Sequence, residues 1–129
     1  MKLAAGKVEA FLRRPDAATV AVLLYGPDRG LVRERADRLA RTVVEDLNDP
    51  FRVVELSAAD LQSDSARLSD EMAALSMIGG RRVIRVRGAG NDLADIFAGA
   101  LSSPGGDALT IAIGDRVVID TVVAGLDIS

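Results

Sequence analysis

Gly26-Pro27-Asp28-Arg29-Gly30-Leu31-Val32 is the segment whose residue types come nearest to a phosphate-holding loop. The aliphatic run Val20–Tyr25 leads into it and a helical pattern leads out. A working phosphate loop follows G-x-x-x-x-G-K-S/T: backbone N–H groups cradle the phosphates, the Lys reaches their oxygens and the hydroxyl holds Mg²⁺. Here the second glycine comes one residue early, and Leu31-Val32 occupy the Lys and Ser/Thr places. Two apolar side chains cannot neutralise a triphosphate or ligate a metal. Gly26 and Gly30 are therefore expected to serve only a tight strand-to-helix turn. Residual anion attraction by backbone donors at the helix start is the alternative.

Three other segments carry chemistry-bearing residues. Leu109-Thr110-Ile111-Ala112-Ile113-Gly114-Asp115 is an aliphatic strand followed by an aspartate, the position from which an acid can hold Mg²⁺ in nucleotide hydrolases. Gly114 intervenes and no second acid follows, so Asp115 reads as a surface turn residue and no metal site is expected. Arg81, Arg82, Arg85 and Arg87 form a basic run. Arg85 and Arg87 share a strand face with Val83, and Arg82 shares the other with Ile84 and Val86. Such arginines usually sit at strand ends, pair with acids on neighbouring helices and pack their stems on apolar surface; contact with DNA phosphates is the competing reading.

The third segment is Ala73-Ala74-Leu75-Ser76-Met77-Ile78-Gly79-Gly80-Arg81-Arg82. In the preceding helical pattern Leu68, Met72 and Leu75 form an inward stripe. At about 100° per residue Met77 falls roughly opposite that stripe and Ile78 to one side. A helix continuing to Ile78 leaves two apolar side chains protruding at its tip, suited to a partner's hydrophobic pocket. A helix that unwinds at Ser76 tucks both into the core beside the next strand.

The elements that must position these residues alternate. Val8, Phe11 and Leu12 mark a first helix ending before Arg14-Pro15-Asp16. Thr19–Tyr25 lacks polar alternation and reads as a strand buried on both faces. Gly30–Leu47 is a helix with outer Glu34/Arg38 and Asp37/Arg41 pairs at i,i+4, stopped by Asn48-Asp49-Pro50. Phe51–Leu56 is a strand, and Asp64 or Ser65 caps a helix reaching about Ser76 that Gly79-Gly80 ends. Arg82–Val86 is a strand, Asn91–Leu101 a helix with Leu93, Ile96, Phe97 and Leu101 on one side, Ser102–Gly106 a turn, and Ala108–Ile113 a strand. Beyond Asp115 a fifth strand or a short helix is open. The alternation predicts an α/β fold, a parallel sheet flanked by helices with right-handed crossovers.

Composition narrows the function classes. The 129 residues suit one domain with a real core. Aromatics are 3%, too few for a stacking platform for single-stranded nucleic acid. A net charge of −3 argues against bulk binding to DNA or anionic membrane by the whole surface. With no Cys and no His, disulfides, Cys/His zinc sites, Cys nucleophiles and Ser-His-Asp triads are excluded. No run approaches the ~18 apolar residues of a membrane span and the N-terminus lacks a signal-peptide stretch, so a cytoplasmic location is expected.

Two segments together carry a family likeness: Leu23-Leu24-Tyr25-Gly26-Pro27-Asp28 leading into Leu31-Val32-Arg33-Glu34, and Leu75-Ser76-Met77-Ile78-Gly79-Gly80-Arg81-Arg82-Val83-Ile84. Over about residues 1–113 the chain resembles the delta subunit of bacterial DNA polymerase III, part of the sliding-clamp loader. The stretch from Leu23 is similar to that family's strand and degenerate phosphate loop. The stretch from Leu75 resembles its clamp-binding element, where a Ser precedes two large apolar residues, commonly Leu-Phe; Met77-Ile78 keep the size and lose the ring.

The resemblance implies a P-loop NTPase-like (AAA+/RecA-like) domain over 1–115 with no cofactor and no activity of its own, and a divergent, unassigned tail over 116–129. It implies a non-catalytic domain that binds and helps open the sliding clamp in DNA replication through Leu75, Met77 and Ile78. ATP hydrolysis then belongs to sister subunits. Family members continue through a second small domain and a helical collar that joins other loader subunits. A chain of 129 residues stops short of both, as a fragment, a truncated product or a divergent stand-alone protein would. The rival reading from the enzyme class is a nucleotide-binding P-loop-type ATPase or kinase-like protein using Gly26–Gly30.

Overall fold

The computed structural model describes residues 2–3, 5–15, 19–74, 80–102, 107–114 and 123–127. Strands β1 (Lys2–Leu3), β2 (Ala21–Tyr25), β3 (Val53–Ser57), β4 (Arg82–Ala89), β5 (Ala108–Gly114) and β6 (Val123–Asp127) form one sheet in the order β1-β6-β2-β5-β4-β3. Every neighbouring pair is parallel. The helices are α1 (Ala5–Arg13), α2 (Arg29–Ala40), α3 (Ala58–Ser63), α4 (Arg67–Ala73) and α5 (Ala94–Ser102), the last entered through a 3₁₀ turn over Asn91–Leu93.

This order explains the two-faced core. From β2 the chain moves outward through α2 to the edge strand β3, then returns through α3, α4 and α5 to β4 and β5. Right-handed crossovers in opposite directions must lie on opposite faces of the sheet. One apolar layer accordingly joins Val8 and Leu12 of α1 and Val32, Ala36 and Leu39 of α2 to Val22, Leu24, Val83, Leu109 and Ile111. The other joins Leu61, Leu68, Met72, Phe97 and Leu101 to Leu23, Leu56, Ile84 and Val86. Ala21–Leu24 is buried on both faces, as its unbroken aliphatic run predicts. Beyond Asp115, the open choice between strand and short helix resolves as strand β6, which pairs with both β1 and β2.

Several expected boundaries move for local reasons. The helix expected to reach Leu47 ends at Ala40. Thr42, Val43 and Val44 are consecutive β-branched residues, and the Thr42 hydroxyl donates to Leu39 O at 2.6 Å, offering the backbone a turn instead. Val44 remains buried all the same. The expected i,i+4 pairs on α2 do not form, because stronger partners lie on other elements. Arg38 Nη1 donates to Glu9 of α1 at 2.7 and 2.8 Å, Arg35 joins the same carboxylate, and Asp37 takes Arg85 of β4. Phe51 lies in the turn before β3 and is 53% exposed.

The helix expected after Asp64 is α4, and the unexpected helix α3 precedes it in the stretch from Ala58 to Ser63. Ser57 opens α3 with a reciprocal capping box: Asp60 N donates to Ser57 Oγ at 3.1 Å, and Ser57 N donates to Asp60 Oδ2 at 2.9 Å. Asp64 closes α3 rather than opening α4, and its carboxylate accepts from Ala66 N at 3.2 Å in the turn between them. Gly114, read from sequence as a strand terminator, is the last residue of β5 beside a bulge in β4 between Arg87 and Ala89. A Cβ there would sit 1.8 Å from the Ala89 carbonyl oxygen, so only glycine permits the two backbones to approach so closely.

Candidate functional site

The loop and arginine residues singled out from the sequence that the structure describes lie at the two opposite edges of the parallel sheet. At the carboxyl edge, β2 delivers the chain through Gly26-Pro27 to Asp28, the N-cap of α2. Asp28 Oδ1 accepts the Leu31 N–H at 3.0 Å. A carboxylate of the loop itself thus takes one of the free helix-start donors that a phosphate loop would turn to its ligand. Gly30 is the second residue of α2, and positive φ among the described residues occurs only at Gly80 and Gly88. Gly30 is therefore a helix residue rather than the turn residue expected from the sequence.

Above this edge lies a cleft of about 590 Å³, framed by Arg29 and Arg33 of α2, Arg85 and Arg87 of β4, Glu55 of β3 and Gly114 of β5. Clefts outside the carboxyl ends of parallel strands are where doubly wound folds bind ligands. The arginines come from segments more than fifty residues apart in sequence, and only the strand order brings them together. Arg85 is fixed by Asp37 on α2 and lies 3.8 Å from Glu55, its register partner on β3. Arg29, Arg33 and Arg87 are exposed and make no ion pair with any described residue.

At the amino edge the other two arginines of the run act as fasteners. Arg82 is 7% exposed; its Nη1 donates to Glu71 O at 2.7 Å and its Nη2 to Glu71 Oε2 at 3.1 Å. Arg81 Nη2 donates to Thr19 O at 2.7 Å, and its Nε lies 3.1 Å from Asp107 Oδ1. This is the pairing with neighbouring acids expected of strand-end arginines. It also explains why α4 stops at Ala73 and does not run to Ser76. The Glu71 carbonyl, which would accept from residue 75 in a longer helix, is taken by Arg82, and Ala74 turns extended at φ −67°, ψ 139°. Gly80, at φ +84°, leads back toward β4. Leu75, Met77 and Ile78 lie outside the described residues, as does Asp115; Leu68 and Met72 of the expected inward stripe are buried.

No family model matches the chain, and no curated protein sequence matches it. Solved structures do. The Bacillus subtilis DNA clamp loader delta protein aligns over 96% of this chain and 42% of its own, with a TM-score of 0.71 at 15% identity. A DNA polymerase III gamma subunit-related protein from Thermotoga maritima aligns over 85% of this chain and 40% of its own, with a TM-score of 0.61 at 18% identity. The chain thus spans about two fifths of the length of either structure. Identities this low speak to architecture alone. The chain shares the fold of these two structures, a parallel sheet flanked by helices.

Proposed function

We propose that this chain is the non-catalytic, clamp-binding domain of a DNA polymerase III clamp-loader subunit, which binds the sliding clamp and helps to open it. The observation that carries the reading is the fold likeness to a clamp loader delta protein over 96% of the chain. The loop chemistry agrees with it: Leu31-Val32 replace the phosphate- and metal-binding residues, and Asp28 caps the helix a nucleotide would use.

In this reading Met77 and Ile78 are the apolar wedge that enters a pocket on the clamp, with Leu75 supporting it. Full burial of each contributes about 1.5–3 kcal/mol. The described flanks suit that task, because Arg82 fastens the end of α4 to the start of β4 and so limits where the five residues between Ala74 and Gly80 can begin and end. A pre-positioned segment loses less freedom on binding than a free one. The wedge promotes opening only to the extent that it binds the open clamp better than the closed one.

The test is capture of a purified bacterial sliding clamp by the wild-type chain and by the Met77→Ala/Ile78→Ala variant. Wild type should bind, and the variant should lose about tenfold or more in affinity while melting near the wild-type temperature. A variant that unfolds instead has lost two core residues, which costs several kcal/mol, roughly 2–5 for each such truncation. That outcome, or clamp binding unchanged in the variant, removes the wedge.

A further inference from the structure

We infer that the cleft at the carboxyl edge of the sheet is a binding site for a compact oligophosphate anion, held by arginine side chains without a metal ion. The inference rests on the geometry of that edge and is independent of clamp binding at the opposite one.

The cleft has the size of a small-ligand site, and its polar lining is dominated by guanidinium groups. Asp37 and Glu55 offset Arg85 and hold it at 12% side-chain exposure, so one cation is already oriented at the cleft floor. Arg29, Arg33 and Arg87 form no salt bridge with any described residue, though the Arg87 charge acts on the Asp60 carboxylate. Like charges facing one concavity repel each other, and an anion that enters relieves that repulsion. Planar guanidinium forks match phosphate oxygens two at a time.

The lining also says how the anion is held. Among the described residues no Ser or Thr hydroxyl lines the cleft, and the only carboxylate that does, Glu55, faces Arg85. None of these groups completes a Mg²⁺ shell. Magnesium bound to the ligand would cancel part of the charge the arginines recognise, so it should weaken binding, the reverse of a phosphate-loop enzyme. Because Asp28 already caps α2, the side chains of α2 and β4 carry recognition rather than the loop backbone. The whole chain is acidic, at −3, so an extended polyanion such as duplex DNA meets net repulsion beyond the cleft, whereas a compact one does not.

Calorimetric titration with inorganic tripolyphosphate at low salt, with and without Mg²⁺, tests this. Wild type should bind; Arg33→Gln/Arg87→Gln should bind about a hundredfold more weakly, the worth of two charge-assisted contacts. Arg14→Gln, an exposed arginine on the α1 end outside the cleft lining, should bind like wild type. Added Mg²⁺ should lower the affinity, and ATP without metal should match tripolyphosphate if the phosphate tail alone is read. The inference is overturned by absence of binding, by equal loss in Arg14→Gln, by affinity that rises with Mg²⁺, or by a short DNA duplex that binds more tightly per phosphate.

Discussion

Arg82 is the residue on which the geometry of the amino edge turns. It is almost wholly buried, and two of its nitrogens are spent on one residue, Glu71, at 2.7 and 3.1 Å. Removing the guanidinium leaves the last-turn carbonyl of α4 only the long 3.3 Å bond from Ala74 N, and leaves a half-buried carboxylate with Arg67 standing off at 3.8 Å. Arg82→Met keeps the stem, so the loss isolates the head group. It should cost about 2 kcal/mol in urea denaturation, below the figure for a fully buried broken pair because Glu71 retains some solvent. Glu71→Gln combined with Arg82→Met should cost well under the sum of the single losses, since both act in one network. Strict additivity would show that the two do not work together. The arginine run and its pairing habit were legible in the sequence. The identity of each partner was not, because Glu71, Asp37 and Asp107 become neighbours only through the order of the strands.

At the scale of elements, periodicity located β2, α2, β4, α5 and β5, because long buried faces leave a strong pattern. It failed where a boundary depends on a hydrogen bond. The start of α3, a helix the periodicity did not place, was readable in principle from Ser57-Ala58-Ala59-Asp60, the spacing of a capping box, before an apolar position at Leu61. The pair β1–β6 was not readable, since two residues at Lys2–Leu3 carry no period. The capping box makes a definite prediction. The Ser57 backbone N–H bonded to Asp60, together with the Ser57 hydroxyl, holds the Asp60 carboxyl below the usual aspartate range. A group whose folded pKa is depressed stabilises the fold above its unfolded value, about 4, and that contribution is lost as pH falls through the folded value. The stability gap between wild type and Asp60→Asn should therefore be present at pH 7 and shrink steadily below about pH 4. Ser57→Ala should cost about 1 kcal/mol at pH 7. A gap between wild type and Asp60→Asn that stays constant from pH 7 to pH 3 would mean the capping carboxylate is not what the charge serves.

At the scale of the whole molecule, the parallel sheet separates two surfaces that chain order interleaves. The fastened flanks of residues 75–79 lie at the amino ends of the strands, and the arginine cleft lies at their carboxyl ends. β4 runs from one to the other over its eight residues, a span of roughly 25 Å. Sites so far apart, with no shared partner, should behave additively. Met77→Ala/Ile78→Ala should thus leave tripolyphosphate affinity within about twofold of wild type, and Arg33→Gln/Arg87→Gln should do the same for clamp affinity. The quadruple variant should lose both by the sum of the separate effects, measured by titrating each ligand in the presence and absence of the other. Arg82 and Arg85 stand on opposite faces of β4, one tied to α4 and the other to α2, so a shift at one end has no single rigid element through which to reach the other's helix. A coupling above about 0.5 kcal/mol between the two ligands would contradict this and make β4 a lever joining the edges.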